Sequence, residues 1–415
     1  MSGNKKVARI CIFCGQTPQN KNREHPLPQW LLRLTGDPNR VVQHGIRWLS
    51  QEPIRFSYSS LTFPSCERCN ARYATMEAAV KPVVEAICAK EPVHPEGYVL
   101  LLDWLDKVRI GMWLGHRYLQ DASWFEPTFT IDSRVAKKDR MVAVYPIGDQ
   151  SDGLNTYGVE SMLFQRQPSA FAIRINGIVL VNASWDWMCA SRCGFPYPQT
   201  HSVSLDIERR GMSIASNFRR RNRVTHPIMD GLAKASVLLF QPIVQVDVNG
   251  ELAGVDSDEE DRFLSTNQWP NHEGAGPLFR QYVASTARIG PTDAPIEFDS
   301  ILARECRPAS HIFTQAYDLQ NRSFAAYRPT GSYADVKAYE DLVRYSCGTI
   351  AERCTPFATC VQKSVANTPR RIRPAPTFSS DANRAGPGGR DSACPRSLRG
   401  VSLDGVWADL ATQSG

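Results

Sequence analysis

Cys11-Ile12-Phe13-Cys14 and Cys66-Glu67-Arg68-Cys69 constrain this chain more than any other feature. Each C-x-x-C pair sets two thiols on one tight turn, and four thiolates satisfy tetrahedral Zn²⁺ with no open position. A closed site of that kind is structural: the ion contributes folding free energy and does no chemistry itself. Chemistry must then come from other side chains that the staple holds together. Between the pairs lies Arg23-Glu24-His25-Pro26-Leu27-Pro28-Gln29-Trp30, and Asn70 directly follows the second pair. Glu24, His25 and Asn70 are therefore the candidates.

The chain has 415 residues, room for two or three domains. The expected division is 1–120, 121–350 and a weakly ordered tail over 351–415, where Thr368–Arg399 is rich in Pro, Gly, Ser and Arg. Net charge is +6, and residues 1–120 hold 16 Lys/Arg against 10 Asp/Glu, a mild excess compatible with a polyanionic partner. No apolar run follows Met1-Ser2-Gly3-Asn4-Lys5-Lys6, so secretion is not expected. Asp103, Asp106, Lys107 and Arg109 interrupt the longest apolar stretch, Tyr98–Leu119, so no membrane span is expected either. These features point to the cytoplasm, where reducing conditions favour metal ligation over disulfides for paired cysteines.

Periodicity predicts an α+β fold. Residues 7–15 read as a strand entering the first knuckle. Pro26-Leu27-Pro28 precedes a short helix at Gln29–Leu34, and Val41–Leu49 and Ile54–Phe63 read as extended. A helix should start at Asn70 and be interrupted or kinked at Pro82, and a second should run over Glu96–Leu119 with Trp104 and Trp113 in the core. Beyond it, Met141–Ile147 reads as a strand and Ala170–Val181 as a hairpin about Asn176-Gly177. Trp185–Gly194 suits a short helix, and Ser236–Val248 suits a strand whose Pro242 implies an edge or bulge. Asp256–Asp261 suits a loop and Tyr333–Tyr345 a helix. Arg219–Arg223 reads as a solvated loop rather than a phosphate patch. His44, His94, His116 and His226 lack metal-ligand spacing. Cys347, Cys354, Cys360 and Cys394 read as incidental.

Cys11-x-x-Cys14, Glu24-His25-x-x-Pro28-x-Trp30 and Cys66-x-x-Cys69-Asn70, in that order, resemble the zinc-stapled HNH endonucleases, which have the ββα-metal or His-Me finger fold. The resemblance covers residues 8–80. It implies a structural Zn²⁺ on Cys11, Cys14, Cys66 and Cys69, with His25 as general base. It also implies that Glu24 and Asn70 hold a catalytic Mg²⁺ or Mn²⁺, which hard oxygen ligands suit. DNA is the implied partner, and hydrolysis of its phosphodiester bonds the implied activity, with a bacterial defence or restriction role by analogy. Arg68 and Arg72, near the helix start, are candidates for phosphate contacts. Glu77, two turns beyond Asn70 on the same face, is a candidate auxiliary to the metal. The family's central asparagine has no counterpart, because no asparagine occurs between Arg40 and Cys69. Ser59, Ser60, Thr62 or a backbone carbonyl stands in its place. Residues 121–350 would recognise a target or protein partner, or restrain the nuclease. A non-catalytic zinc-stapled nucleic-acid-binding or interaction module, and an RNase with the same core, are the alternatives.

Overall fold

Alternating side chains along two adjacent segments build the centre of the molecule. In Ala170–Ile175 (β7) and Ile178–Ser184 (β8), Phe171, Ile173, Ile178 and Leu180 belong to one hydrophobic cluster, while Ala172, Val179, Val181 and Ala183 belong to another. A strand whose successive side chains point to opposite faces feeds two cores only if its sheet is covered on both sides. Asn176, at φ 51°, takes the left-handed conformation that a two-residue hairpin turn requires, followed by Gly177.

The computed structural model describes residues 10–20, 22–47, 52–119, 129–206, 211–220, 223–232, 234–243, 276–300, 302 and 309–326. The chain is α+β. It opens with Asn22–Glu24 (β1), Gln29–Leu34 (α1), Val41–Ile46 (β2), Pro53–Ser57 (β3), Phe63–Ser65 (β4), Glu67–Ala89 (α2) and Pro95–Leu119 (α3). Then come Arg140–Pro146 (β5), Leu154–Tyr157 (β6), Met162–Arg166 (α4), β7, β8, Ala190–Cys193 (α5), Pro196–Asp206 (β9) and Gly211–Arg220 (β10). Val237–Gln241 (β11), Leu278–Gln281 (β12), Thr286–Ile289 (β13) and Ala309–Ala326 (α6) complete it. Seven strands form an antiparallel sheet in the order β13-β12-β11-β5-β8-β7-β6. α6 lies on one face through Ile312, Phe313, Ala316 and Leu319, and α3 lies on the other. The α3 side shares a single hydrophobic cluster with the N-terminal segment, from Cys11 and Phe13 through Trp104 and Trp113 to Val142, Leu180 and Leu239.

The short helix α1, the β5 strand and the β7–β8 hairpin match the sequence patterns. Other elements differ for identifiable reasons. Residues 10–16 form turns, not a strand; Gly15, at φ 75°, closes the first knuckle with its N–H on the Cys11 carbonyl at 2.8 Å. The extended reading over Ile54–Phe63 breaks at a 3₁₀ turn, Tyr58–Ser60, before β4 begins. Helix α2 starts at Glu67 rather than Asn70, with Cys66 as its N-cap residue, and continues through Pro82. Pro82 lacks the N–H that would serve the Ala78 carbonyl, but Ala78 is exposed to water while Val80, Val84 and Ile87 are buried, so packing sustains the helix. Strand β11 is interior, paired with β5 and β12, because it stops at Gln241 just before Pro242. Arg219 and Arg220 lie in β10, paired with Tyr197 and Pro196, not in a loop. Helix α6 falls within 296–348 but ahead of the helix expected near Tyr333–Tyr345; its signal is Ile312, Phe313, Ala316 and Leu319 at helical spacing. Asp256–Asp261, Tyr333–Tyr345 and the tail lie outside the described residues.

Candidate metal centre and adjoining carboxylate cluster

The four cysteines converge. Their sulfurs lie within 4.8 Å of one another, the only such group of potential metal ligands among the described residues. Cys14 Sγ and Cys66 Sγ are 3.9 Å apart. Tetrahedral zinc with Zn–S of about 2.3 Å sets sulfurs about 3.8 Å apart, so the thiols fit one ion. Two local devices bring them there. The Ile12 N–H donates to the Pro64 carbonyl at 3.1 Å, tying the first knuckle to β4, and the Cys66 N–H donates to Cys11 Sγ at 3.3 Å. Phe13 and Tyr73 stack with ring centroids 4.3 Å apart, and the Tyr73 hydroxyl donates to Asp132 at 2.5 Å. Burial pushes the Cys69 thiol well up, and the adjacent Cys11 and Cys14 sulfurs add to the rise; burial likewise raises Cys14. Burial acts on Cys11 too, but N–H groups of Cys14, Cys66 and Phe13 outweigh it and leave that thiol low. Crowded sulfurs of this kind need a cation to exist together as thiolates.

Strand β1 runs antiparallel to β4, with Glu24 opposite Phe63, and β4 leads into α2 through the zinc-ligand candidate Cys66. Glu24 thus ends a strand beside the helix carrying Asn70 and Glu77. His25 Nε2 lies 3.3 Å from Gln29 Nε2 on α1. Buried polar atoms here without a partner among the described residues include His25 Nδ1 and Asn70 Oδ1, as well as Trp30 Nε1 and Ser65 Oγ. An orphaned amide oxygen and a carboxylate are donors of the type that hold Mg²⁺ or Mn²⁺, so Asn70 and Glu24 fit a hard cation in chemistry.

A residue outside the N-terminal motif reaches the same place. Lys107, in the middle of α3, has a fully buried side chain, and its Nζ lies 2.5 Å from Glu24 Oε1. The same ammonium pairs with Glu77 Oε1 and lies 3.4 Å from the His25 carbonyl oxygen. Burial raises the Glu77 carboxyl above its ordinary value; Lys107 opposes this and Glu24 adds to it. Sequence patterning passed over Lys107 as an interruption of an apolar stretch. Its signal was its setting, on the helix face that also holds Trp104, Gly111 and Gly115. Trp104 meets Trp30 at a centroid separation of 6.1 Å, and the glycines let α3 lie against Pro26 and Leu61.

Arg68 and Arg72 are exposed near the start of α2; Arg72 lies 3.8 Å from Asp132 and its guanidinium stands over the Tyr73 ring. Ser59 and Ser60 turn elsewhere: Ser59 donates to Asn39 Oδ1 at 2.9 Å and Ser60 to the Ser57 carbonyl at 2.7 Å. His226 meets Thr286 at 3.0 Å. No described helix is long and apolar enough to cross a membrane. No protein-family model, curated protein or solved structure matches this chain.

Proposed function

We propose that the chain is a zinc-stapled, metal-dependent endonuclease of the HNH type that hydrolyses DNA phosphodiester bonds. One observation carries the reading: the thiol cluster fastens the start of α2 beside the β1–β4 ribbon, whose first strand ends at Glu24, directly before His25. In this reading zinc on Cys11, Cys14, Cys66 and Cys69 is structural. Glu24 and Asn70 hold one Mg²⁺ or Mn²⁺, which supplies charge stabilisation at the scissile phosphate. His25 takes the proton from the attacking water. The ring is steered from one side by Gln29 while Nδ1 has no described protein partner. The Gln29 amide can present oxygen or nitrogen to the ring, which sets the tautomer. Arg68 and Arg72 meet phosphates flanking the cut.

A second reading has its own support. Lys107 already places a positive charge on Glu24 and Glu77, which suits a non-catalytic nucleic-acid-binding module. Incubating supercoiled plasmid with the protein and Mg²⁺ or Mn²⁺ separates the two, with a single-stranded RNA run in parallel. Nicking by the parent and its loss in His25→Ala supports the nuclease. Binding without cleavage supports the module, and cleavage of RNA alone changes the substrate. Cleavage that survives His25→Ala removes the imidazole from its role.

A further inference from the structure

We propose that Lys107 is a positioning residue for the Glu24–His25 pair, a fixed cation delivered by α3 that holds the Glu24 carboxylate and the His25 backbone. The inference deepens the nuclease reading and rests on it for its catalytic consequence.

An ammonium has three N–H donors and no acceptor. All three have a destination here: Glu24 Oε1 at 2.5 Å, Glu77 Oε1, and the His25 carbonyl at 3.4 Å. The lysine side chain is fully buried, and the Glu24 and Glu77 side chains are 12% and 14% exposed. A buried ammonium persists when opposite charges and hydrogen bonds replace its hydration. The grip is also selective. Lys107 meets Glu24 at one oxygen, and a carboxylate has two, with about four acceptor positions. The second oxygen is not engaged by Lys107. By formal charge, one ammonium against two carboxylates sums to −1, a balance that attracts a further cation rather than repelling it.

The backbone contact extends the same grip to His25. Gly111 lies one turn beyond Lys107 on α3 and packs on Pro26, so the helix touches the chain on both sides of the His25 peptide unit. A lysine that served only to fill space would need neither the carboxylate pair nor the carbonyl. Misplacement by about 1 Å at a reacting centre can lower a rate about 100-fold.

The test compares the parent, Lys107→Met/Glu77→Gln and Glu77→Gln in the full-length zinc-loaded protein. The double variant keeps the net charge of the cluster at −1, so the charge that remains buried is the same. Zinc content and thermal melting report the fold. Imidazole ¹⁵N signals, assigned with His25→Ala, report His25. Plasmid nicking with Mg²⁺ reports activity. The proposal expects one zinc per chain and a cooperative melt, shifted His25 signals, and kcat lowered at least about 100-fold with KM for DNA within about threefold. Unchanged His25 signals and kcat in the folded double variant overturn it, as does Glu77→Gln alone reproducing the whole loss. Lys107→Gln, which keeps a donor of similar reach, gives the same readouts should the double variant not fold. If the parent nicks no DNA but the His25 signals still move, the nuclease reading falls while the positioning of the imidazole stands.

Discussion

A methyl group on Gly111 would meet Pro26 Cβ at 3.3 Å and Pro26 Cα at 3.4 Å. That spacing leaves little room between α3 and the segment bearing Glu24 and His25, and it predicts a graded response to side-chain size. Gly111→Ala gains about 1 kcal/mol of helix propensity and loses a similar amount to crowding, so its stability should stay within about 1 kcal/mol of the parent. Gly111→Val adds bulk that Pro26, itself buried, has little room to avoid, and should cost about 1–3 kcal/mol. Urea unfolding of the two variants checks this. Equal stability of Gly111→Val and the parent would show that α3 does not press on Pro26.

The thiol cluster predicts one zinc per chain and a fold that depends on it. Metal bound to the native state and not to the unfolded chain adds its binding free energy to stability. Cys69→Ser leaves three sulfurs and should lower the melting temperature and the zinc content together. Cys88→Ser, at a half-buried cysteine outside the cluster, should leave zinc content unchanged. Atomic absorption and melting curves with and without a chelator measure both. A parent that purifies without zinc from zinc-supplemented cells, and melts identically with chelator, would sink the assignment.

Much of this architecture could be read from residue order, for physical reasons that also mark where reading stopped. The staple was legible because C-x-x-C spacing encodes a turn, and β7–β8 because Asn176-Gly177 encodes a hairpin. Local rules misjudged Pro242 and did not decide between a break and a continuous helix at Pro82. Whether proline breaks a helix depends on what the adjacent turns bury, and its effect on a strand depends on where pairing ends. Lys107 was illegible for a different reason. Its partners are 83 and 30 positions away, and no local pattern distinguishes a buried lysine that meets two carboxylates from one that interrupts an exposed face. The seven-stranded order likewise depends on non-local pairing, as of Val237 with Val144.

Asp139 should make stability depend on pH in a direction opposite to that of a salt-bridged carboxylate. Burial pushes its carboxyl up to about 6, although the Cys189, Ala190 and Ile243 N–H groups donate to it at 2.9, 2.8 and 2.9 Å and pull the other way. An acid whose folded value exceeds its unfolded value of about 3.9 holds its proton more tightly when folded. Its contribution is therefore most favourable below about pH 4 and is lost as pH rises through about 6, by about 3 kcal/mol over roughly two units. The difference in unfolding free energy between the parent and Asp139→Asn, measured from pH 4 to pH 7, isolates this group because the amide does not titrate. A difference that does not change across that range would mean the three donors outweigh burial.

Asp106 predicts the last effect, since it sets the rotation of α3. It is fully buried and accepts from Arg109 at 2.6 Å, from Arg140 on β5 at 3.0 Å and from the Ala136 N–H at 3.1 Å. Arg109 in turn donates to the Pro168 carbonyl at 2.9 Å and to Asn182 on β8. Consecutive helical residues point about 100° apart. Asp106 held toward the sheet therefore directs Lys107 toward Glu24 and Glu77. Asp106→Ala leaves Arg109 without a carboxylate and Arg140 with Asp103 alone, and should cost about 3–5 kcal/mol. Adding Arg109→Met removes the stranded guanidinium and should recover part of that loss, a coupling that a double-mutant cycle in urea measures. Strict additivity of the two substitutions would show that the pair contributes nothing jointly. Such a result would leave the orientation of α3 to apolar packing around Trp104 and Trp113.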